Sequence, residues 1–250
     1  MVRKRVLCIS AILSIAILSK LYSTPTEKDP VVTMYKQMMM DHAEKIKNEN
    51  SLSIKEEIYL NSLTFAEEEV PTEIKSVKTK LGKYLSVFSF KKQGSHEMHR
   101  KAEKYLPKVA LILKSYGIPE DFKYIPIVES GLNPSVTSTK GAGGYWQFMP
   151  ATARLYGLRV DGKVDERKDF IKSTHAAAKY LKYLHGKFGD WTLVAAAYNV
   201  GDGSLRSTIR RQNQDNYYKL RLNAETASYV YKLVSVKEVI ENPEMYGYKI

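Results

Sequence analysis

Residues 191–198, WTLVAAAY, form the run that most limits how this chain can fold. The run is almost wholly apolar, and Asn199, Val200 and Gly201 follow it and end it. This pattern predicts a helix that is buried on most of its faces. The chain has 250 residues and 44% hydrophobic content, which is enough for one sizeable core around such a helix.

Amphipathic helices are predicted on both sides of that run. Apolar residues recur at helical spacing in residues 106–116, 171–185 and 224–240. Gly117 ends the first of these segments, and Pro243 follows the last one. No convincing run alternates between apolar and polar side chains as a strand would, so the sequence predicts an all-α fold.

The first 23 residues have the pattern of an export signal. Residues 3–5 (RKR) precede an uncharged and largely apolar run, residues 6–19, which is too short to span a bilayer comfortably. Ser23 supplies a small residue at a suitable cleavage point. Retention of the segment as a membrane anchor is the alternative. In both cases we expect the bulk of the protein outside the cytoplasm, in the periplasm or cell envelope.

The formal net charge of +12 favours a polyanionic partner. Nucleic acid, an anionic membrane face and a cell-wall polymer with carboxylates all fit this charge. The export signal and the lack of a matching motif argue against nucleic acid. Cys8 is the single cysteine, so the remainder of the chain has no thiol for a disulfide or a metal site. His96 and His99 lack the i, i+4 spacing of a helical zinc pair, and we predict neither a metal nor a cofactor.

Residues 125–150, IPIVESGLNPSVTSTKGAGGYWQFMP, contain the strongest candidate for chemistry. Glu129 lies in a short apolar helix, and three glycines at positions 141, 143 and 144 loosen the loop that follows. Loss of hydration raises the pKa of a carboxyl group, which can then stay protonated near neutral pH and donate to a leaving oxygen. A capping or ion-pairing acid is the alternative. Four polar residues, each at the end of a buried helix or in a loop beside one, favour catalysis: Ser130, Gln147, Tyr198 and Asn199.

Three ordered blocks resemble the lytic transglycosylases of the lysozyme superfamily. The blocks are IVES at 127–130, GAGGYWQFMPATA at 141–153 and AAAYNVG at 195–201. The likeness covers about residues 104–248. It is strongest to the membrane-bound lytic murein transglycosylase D type, partly because of ETASYVYKL at 225–233. Three blocks in the family's order make the resemblance specific, whereas each block alone would be weak.

The resemblance implies a lysozyme-like (goose-type) helical catalytic domain at residues 101–250. The polar, helix-prone composition before it predicts a helical N-terminal extension of unknown role at 24–100. It also implies a lyase that acts on peptidoglycan glycan strands. Glu129 matches the family's sole catalytic acid, which protonates the oxygen between N-acetylmuramic acid and N-acetylglucosamine. The carboxylate then takes the proton of the muramic acid C6 hydroxyl, which attacks C1 and gives a 1,6-anhydro end. Because the substrate supplies its own nucleophile, one acid suffices where ordinary glycosidases need two.

The family's substrate-binding positions carry over to this sequence residue by residue. The matching residues are Ser130, Gln147, Met149, Tyr198, Asn199 and Tyr229. The resemblance implies that Gln147 faces the sugar N-acetyl group or the acid, and that Met149 lines the cleft wall. The Tyr198 hydroxyl would hold the carboxyl group or the substrate. Val200 stands where the family often has alanine, a small change.

Other residues in these blocks have simpler interpretations. Gly141, Gly143 and Gly144 are expected to let the backbone approach substrate closely, or simply to loosen the loop. Trp146 is favoured as a core residue over a platform for a sugar ring. The acids of the polar connector are interpreted as caps and ion pairs: Asp161, Asp165, Glu166 and Asp169.

Two other functions remain open at this point. A hydrolytic muramidase on the same fold would need a carboxylate opposite Glu129 to activate water. A non-catalytic wall-binding protein would not need Glu129, Gln147 and the Tyr198-Asn199 pair together.

Overall fold

The computed structural model describes residues 59–249. The predicted export signal and residues 24–58 of the predicted N-terminal extension lie outside the described residues. Between residues 59 and 249 no helix is both long and apolar enough to cross a membrane.

Helices dominate this part of the chain, as predicted. They are α1 Lys75–Phe88, α2 Phe90–Gln93, α3 Glu97–Ser115, α4 Ile125–Ser130, α5 Pro150–Leu155, α6 Phe170–Phe188, α7 Trp191–Val200, α8 Asp202–Gln212 and α9 Thr226–Glu241. Three short 3-10 turns lie between helices, Glu120–Tyr124, Glu166–Lys168 and Tyr217–Lys219, and a fourth, Pro243–Tyr246, follows α9. The all-α prediction is therefore confirmed, with one small exception.

The exception is an antiparallel hairpin of two short strands, β1 Thr64–Phe65 and β2 Glu68–Glu69. Ala66 and Glu67 join the strands with φ values of 53° and 68°. Two positive φ values between the strands are typical of the tight turns that match strand twist. Strands of two residues are too short to show an alternating pattern, so they could not be predicted from the sequence.

Helix α7 lies at the centre of the core, as its composition predicted. Leu193, Val194 and the three alanines that follow are all buried. Helices α6 and α9 pack against α7. Enclosure of this helix fixes the position of its last turn, which carries Tyr198 and Asn199.

Helix α9 is more deeply buried than its sequence indicated. The predicted stripe of Tyr229, Leu233, Val236 and Ile240 covers one face, yet Ser235 and other residues off that stripe are buried too. The reason is that α9 packs against α7 and α4 and also against α1.

The hydrophobic core runs without interruption across residue 100. Phe65, Val77 and Leu81 come before that position and belong to the same cluster as Leu233 and Val236. The described part of the predicted N-terminal extension therefore packs directly on the domain that carries Glu129.

Candidate active site

Helix α4 carries Glu129 to the edge of the core. Ile125 and Ile127 are buried and fix the helix, while Glu129 near its C-terminus is half-buried. Gly131 ends the helix with φ of 59°, a left-handed conformation that favours glycine. The chain then enters the loop of residues 131–149, so the Glu129 carboxyl lies where helix and loop meet.

Tyr229 of α9 is the direct partner of this acid. Its hydroxyl donates a hydrogen bond to Oε1 of Glu129 at 2.5 Å. The Tyr229 side chain is itself buried. The family resemblance implied that Tyr229 binds substrate, and the structure brings its hydroxyl to the Glu129 carboxyl over 100 positions of chain.

Burial raises the pKa of Glu129 to about 7. The hydrogen bond from Tyr229 opposes this rise because it favours the charged form, and the nearby cation Lys232 opposes it more weakly. The carboxylate of Glu225 raises the pKa further through charge repulsion. A carboxyl group with a pKa near 7 is present in both forms at neutral pH, so it can donate a proton and accept one back.

Tyr198 lies close to the acid but bonds elsewhere. Its hydroxyl donates to the carbonyl of Trp146 at 2.7 Å, which ties the end of α7 to the loop. Burial and, secondly, the charge of Glu129 raise the pKa of Tyr198, and both effects also raise that of Tyr229. Both tyrosines therefore stay protonated and act as hydrogen-bond donors.

Ser130 and Gln147 hold the loop together by bonds to main-chain carbonyls. Ser130 Oγ donates to the carbonyls of Pro126 and Tyr145, at 3.0 and 2.9 Å. Gln147 has φ of 48°, and its Nε2 donates to the carbonyls of Val136 and Gly144 at 3.0 and 2.9 Å. The Gln147 side chain is thus held by its amide nitrogen.

Asn199 connects the end of α7 to the start of α9. Its Oδ1 accepts from the Thr226 hydroxyl at 2.8 Å, and its Nδ2 donates to Oε1 of Glu225 at 3.3 Å. Glu225 is a site residue that the sequence reasoning missed. It precedes Tyr229 by four positions at the start of α9, and this spacing places the two residues on one side of the helix.

The remaining predicted residues divide between surface and core. Met149 is 43% exposed at the start of α5, a position from which it can contact a ligand. Trp146 is fully buried, and its indole nitrogen donates to Thr174 Oγ1 at 3.1 Å, so it is a core residue as favoured. A Cβ on Gly144 would lie 2.0 Å from the carbonyl oxygen of Arg167, so this glycine permits close approach of protein to protein.

The acids of the polar connector act as caps and ion pairs, as predicted. Asp169 accepts a hydrogen bond from the Lys172 amide and caps α6. Asp165 pairs with Arg167, and Glu166 pairs with Lys172. Within residues 59–249 no group of three or more His, Cys, Asp or Glu side chains could hold a metal ion.

Comparison with known proteins identifies relatives over much of this region. A family model, the transglycosylase SLT domain, matches residues 111–221. Membrane-bound lytic murein transglycosylase D of Escherichia coli K12 is 35% identical over 160 residues, which cover 62% of this chain and 35% of that protein. A protein of Alteromonas sp. strain M-1, named for tributyltin chloride resistance, is 33% identical over 148 residues, which cover 58% of this chain and 72% of that protein.

Among solved structures, the 70 kDa soluble lytic transglycosylase of Escherichia coli aligns with a TM-score of 0.47 and 18% identity. The alignment covers 86% of this chain and 44% of that one. The chain spans only about a third of the length of the membrane-bound Escherichia coli relatives that it matches.

Proposed function

Because this chain belongs to the SLT-domain family of lytic transglycosylases, we propose that it cleaves the glycan strands of peptidoglycan. The bond cleaved is the β-1,4 linkage between N-acetylmuramic acid and N-acetylglucosamine, and the product carries a 1,6-anhydro end. The observation that carries this proposal is the pairing of Glu129 with the Tyr229 hydroxyl at 2.5 Å, with the pKa of Glu129 raised to about 7.

Glu129 acts twice in the proposed reaction. As the acid it gives its proton to the glycosidic oxygen, and the bond from C1 of the muramic acid to that oxygen breaks. As the carboxylate it then takes the proton of the C6 hydroxyl while the C6 oxygen bonds to C1. Glu129 ends protonated as it began, and no water is consumed. A pKa near the working pH suits a group that must donate and accept in one cycle.

Tyr229 stabilises the intermediate stage of this reaction. Its hydrogen bond favours the carboxylate form of Glu129, which exists after the first proton transfer. That carboxylate faces the positive charge that develops at C1 when the glycosidic bond breaks. Tyr198 contributes by fixing the loop through its bond to the carbonyl of Trp146.

The loop residues bind the sugars in this proposal. Met149 lines the cleft through its exposed side chain, and Gln147 presents its amide oxygen because the amide nitrogen is already bonded to main chain. Asn199 and Ser130 keep the two walls in place through their bonds to the start of α9 and to the loop.

Glu225 decides between this reaction and hydrolysis. A muramidase needs a second carboxylate to activate water, and Glu225 is close enough to Glu129 to raise its pKa. Glu225 is, however, an exposed side chain that accepts a hydrogen bond from Asn199. We therefore assign it to the cleft wall and retain the transglycosylase reaction.

The proposed place of action is the cell envelope, where peptidoglycan lies. The predicted export signal in residues 1–23 agrees with this, and some relatives are named as membrane-bound. Net positive charge suits a wall polymer with carboxylates.

The test is mass spectrometry of peptidoglycan digested by wild type and by Glu129→Gln. We expect 1,6-anhydro-muropeptides from the wild type and none from the variant. Fragments with reducing ends alone would identify a hydrolase instead. No fragments from the wild type would indicate a wall-binding protein without this activity.

A further inference from the structure

Arg167 is a buried cation in the connector between α5 and α6. Its side chain is 8% exposed, and it forms a two-point ion pair with Asp165. Nε donates to Oδ1 at 2.8 Å and Nη2 donates to Oδ2 at 2.9 Å. Asp165 therefore fixes the plane of the guanidinium group, because two parallel charge-assisted hydrogen bonds define one orientation.

The remaining nitrogen of Arg167 joins two distant points of the loop 131–149. Nη1 donates to the carbonyl of Gly141 at 2.8 Å and to the carbonyl of Phe148 at 2.9 Å. Gly143 bridges to Phe148 within the loop, its amide donating to the Phe148 carbonyl at 3.0 Å. The Arg167 side chain thus holds the Gly141 and Phe148 segments of the loop next to each other.

Two glycines are required by the closeness of Arg167. A Cβ on Gly144 would lie 2.0 Å from the Arg167 carbonyl oxygen, a distance that no relaxation of a flexible side chain could relieve. A Cβ on Gly143 would lie 3.0 Å from the carbon of the guanidinium group. The position of Arg167 therefore leaves no room for a larger side chain at Gly144 and little room at Gly143.

Gln147 lies within the part of the loop that Arg167 closes. Its main-chain N–H donates to the Gly144 carbonyl at 3.2 Å, and its side-chain Nε2 donates to the same carbonyl at 2.9 Å. The next residue, Phe148, is bonded to Arg167. The place of the Gln147 side chain therefore depends on where Arg167 holds Gly144 and Phe148.

We propose that Arg167 is a positioning residue for the cleft: it holds the loop 131–149 so that Gln147 meets the glycan. The proposal rests on the function proposed above insofar as the ligand is a glycan. Lysine cannot replace the arginine, because one ammonium group cannot form the planar pair with Asp165 and also bridge two carbonyls.

The first experiment measures kinetics of Arg167→Lys on soluble glycan strands. We expect kcat/KM to fall about 10- to 100-fold, mostly through KM, because misplacement of a positioning group of about 1 Å has effects of this size. The pH at which the rate falls by half should stay that of the wild type, because Arg167 does not contact Glu129. The matched control is Arg159→Lys, an exposed arginine paired with Asp161 in the same connector, which should change nothing.

A double-mutant cycle separates positioning from general damage. If Arg167 acts through Gln147, Arg167→Lys combined with Gln147→Ala should be little worse than either variant alone. Independent, additive losses would overturn the proposal, and so would a fall in kcat with unchanged KM, which signals fewer folded molecules. Asp165→Asn, which keeps the arginine but removes its orienting carboxylate, should give the same KM effect in a protein that folds.

Hydrogen exchange tests the inference without any activity. Amides of Gly143, Gly144 and Gln147 should exchange at least about tenfold faster in Arg167→Lys than in wild type, while α9 keeps its protection. Equal exchange in the loop would overturn the inference even if the enzyme were active. Faster exchange in a protein that makes no anhydro product would support the loop-holding role and contradict the proposed function alone.

Discussion

Glu129 and Glu238 both have a raised pKa and both accept a hydrogen bond from a tyrosine, but of these two acids only Glu129 is a candidate for catalysis. Tyr229 donates to Glu129 at 2.5 Å, and Tyr59 donates to Glu238 at 2.5 Å. Burial is the main cause of a raised pKa in both carboxyl groups. One helix, α9, carries Tyr229 of the first pair and Glu238 of the second.

The surroundings of the two acids differ. Glu238 is only 6% exposed and lies within a closed cluster, where Asn242 also donates to its Oε2 at 3.3 Å and Tyr246 meets Tyr59 at 2.9 Å. Glu129 is half-buried at a helix end, next to the loop 131–149. A raised pKa therefore indicates only that a carboxyl group is buried. A reaction site also needs access for a ligand and polar groups nearby, and Glu129 has both where Glu238 lies in a closed cluster.

The largest expected difference between the two acids is the effect on kcat of replacing each one by glutamine. We expect Glu129→Gln to lose about 10³-fold or more in kcat on peptidoglycan, since general acid–base catalysis contributes about 10²–10⁴-fold per group and this group acts twice. Release of anhydro-muropeptides measures the loss.

Glu238→Gln is the matched control, because it changes a buried acid with the same kind of partner. It should keep wild-type kcat and KM while the folded protein unfolds at lower temperature. Comparable loss of activity in the two variants, at equal folded fraction, would contradict the assignment of Glu129.

The next largest difference is expected when each tyrosine is replaced by phenylalanine, because only Tyr229 contacts Glu129. Tyr229→Phe removes a hydrogen bond that lowers the pKa of Glu129, so that pKa should rise and the decline of kcat/KM should move to higher pH. We also expect kcat to fall about tenfold, because the acid loses its orientation and the carboxylate loses about 1.5–3 kcal/mol of charge-assisted bonding.

Tyr59→Phe provides the comparison for that variant. It should leave the pH profile unchanged and destabilise the fold by about 1–3 kcal/mol, since Glu238 loses a partner inside the core. A shift of the activity profile in Tyr59→Phe, or none in Tyr229→Phe, would undo the distinction between the pairs.

Stability against pH gives a third test. The folded-state pKa of Glu129 lies above its unfolded value, so the stability that its neutral form allows is complete below about pH 4 and is lost as pH rises towards 7. Glu129→Gln should therefore be more stable than wild type by about 1–3 kcal/mol at pH 8 and equal to it at pH 4. Denaturant unfolding at both pH values measures this; a gain of equal size at both would show that the titration of Glu129 is not the cause.

Local patterns predicted the parts of this structure that depend on neighbours in sequence. The apolar run 191–198 predicted a buried helix, and α7 is one. The family resemblance, carried by the three blocks and by ETASYVYKL at 225–233, implied one cleft with Glu129, Tyr198 and Tyr229, and the structure places these three residues close together. Both could be predicted because helical periodicity and the spacing of motifs depend only on the order of residues in the sequence.

Contacts between distant segments could not be predicted in the same way. Tyr59 meets Glu238 across 179 positions, and no periodicity links the two. The contacts of Arg167 with Gly141 and Phe148 likewise cross 26 and 19 positions, and in sequence this residue is one of several charged residues in a polar connector. Glu225 was missed although it stands four residues before Tyr229, a spacing that places both on one side of α9.

Glu225 gives the smallest expected effect and the clearest decision on the reaction. Its charge raises the pKa of Glu129, so Glu225→Gln should lower that pKa and move the decline of kcat/KM to lower pH. We expect a change in rate at neutral pH of about two- to fivefold, the size of a partly screened charge interaction, and the same anhydro products. Glu103→Gln, which changes an exposed acid on α3, controls for the loss of one surface charge and should leave the pH profile unchanged.

If Glu225 activated water, its loss would instead remove activity as fully as Glu129→Gln does, and the wild-type product would carry reducing ends. The two variants together therefore tell whether one carboxylate or two perform the chemistry, which the comparison of buried acids alone does not decide.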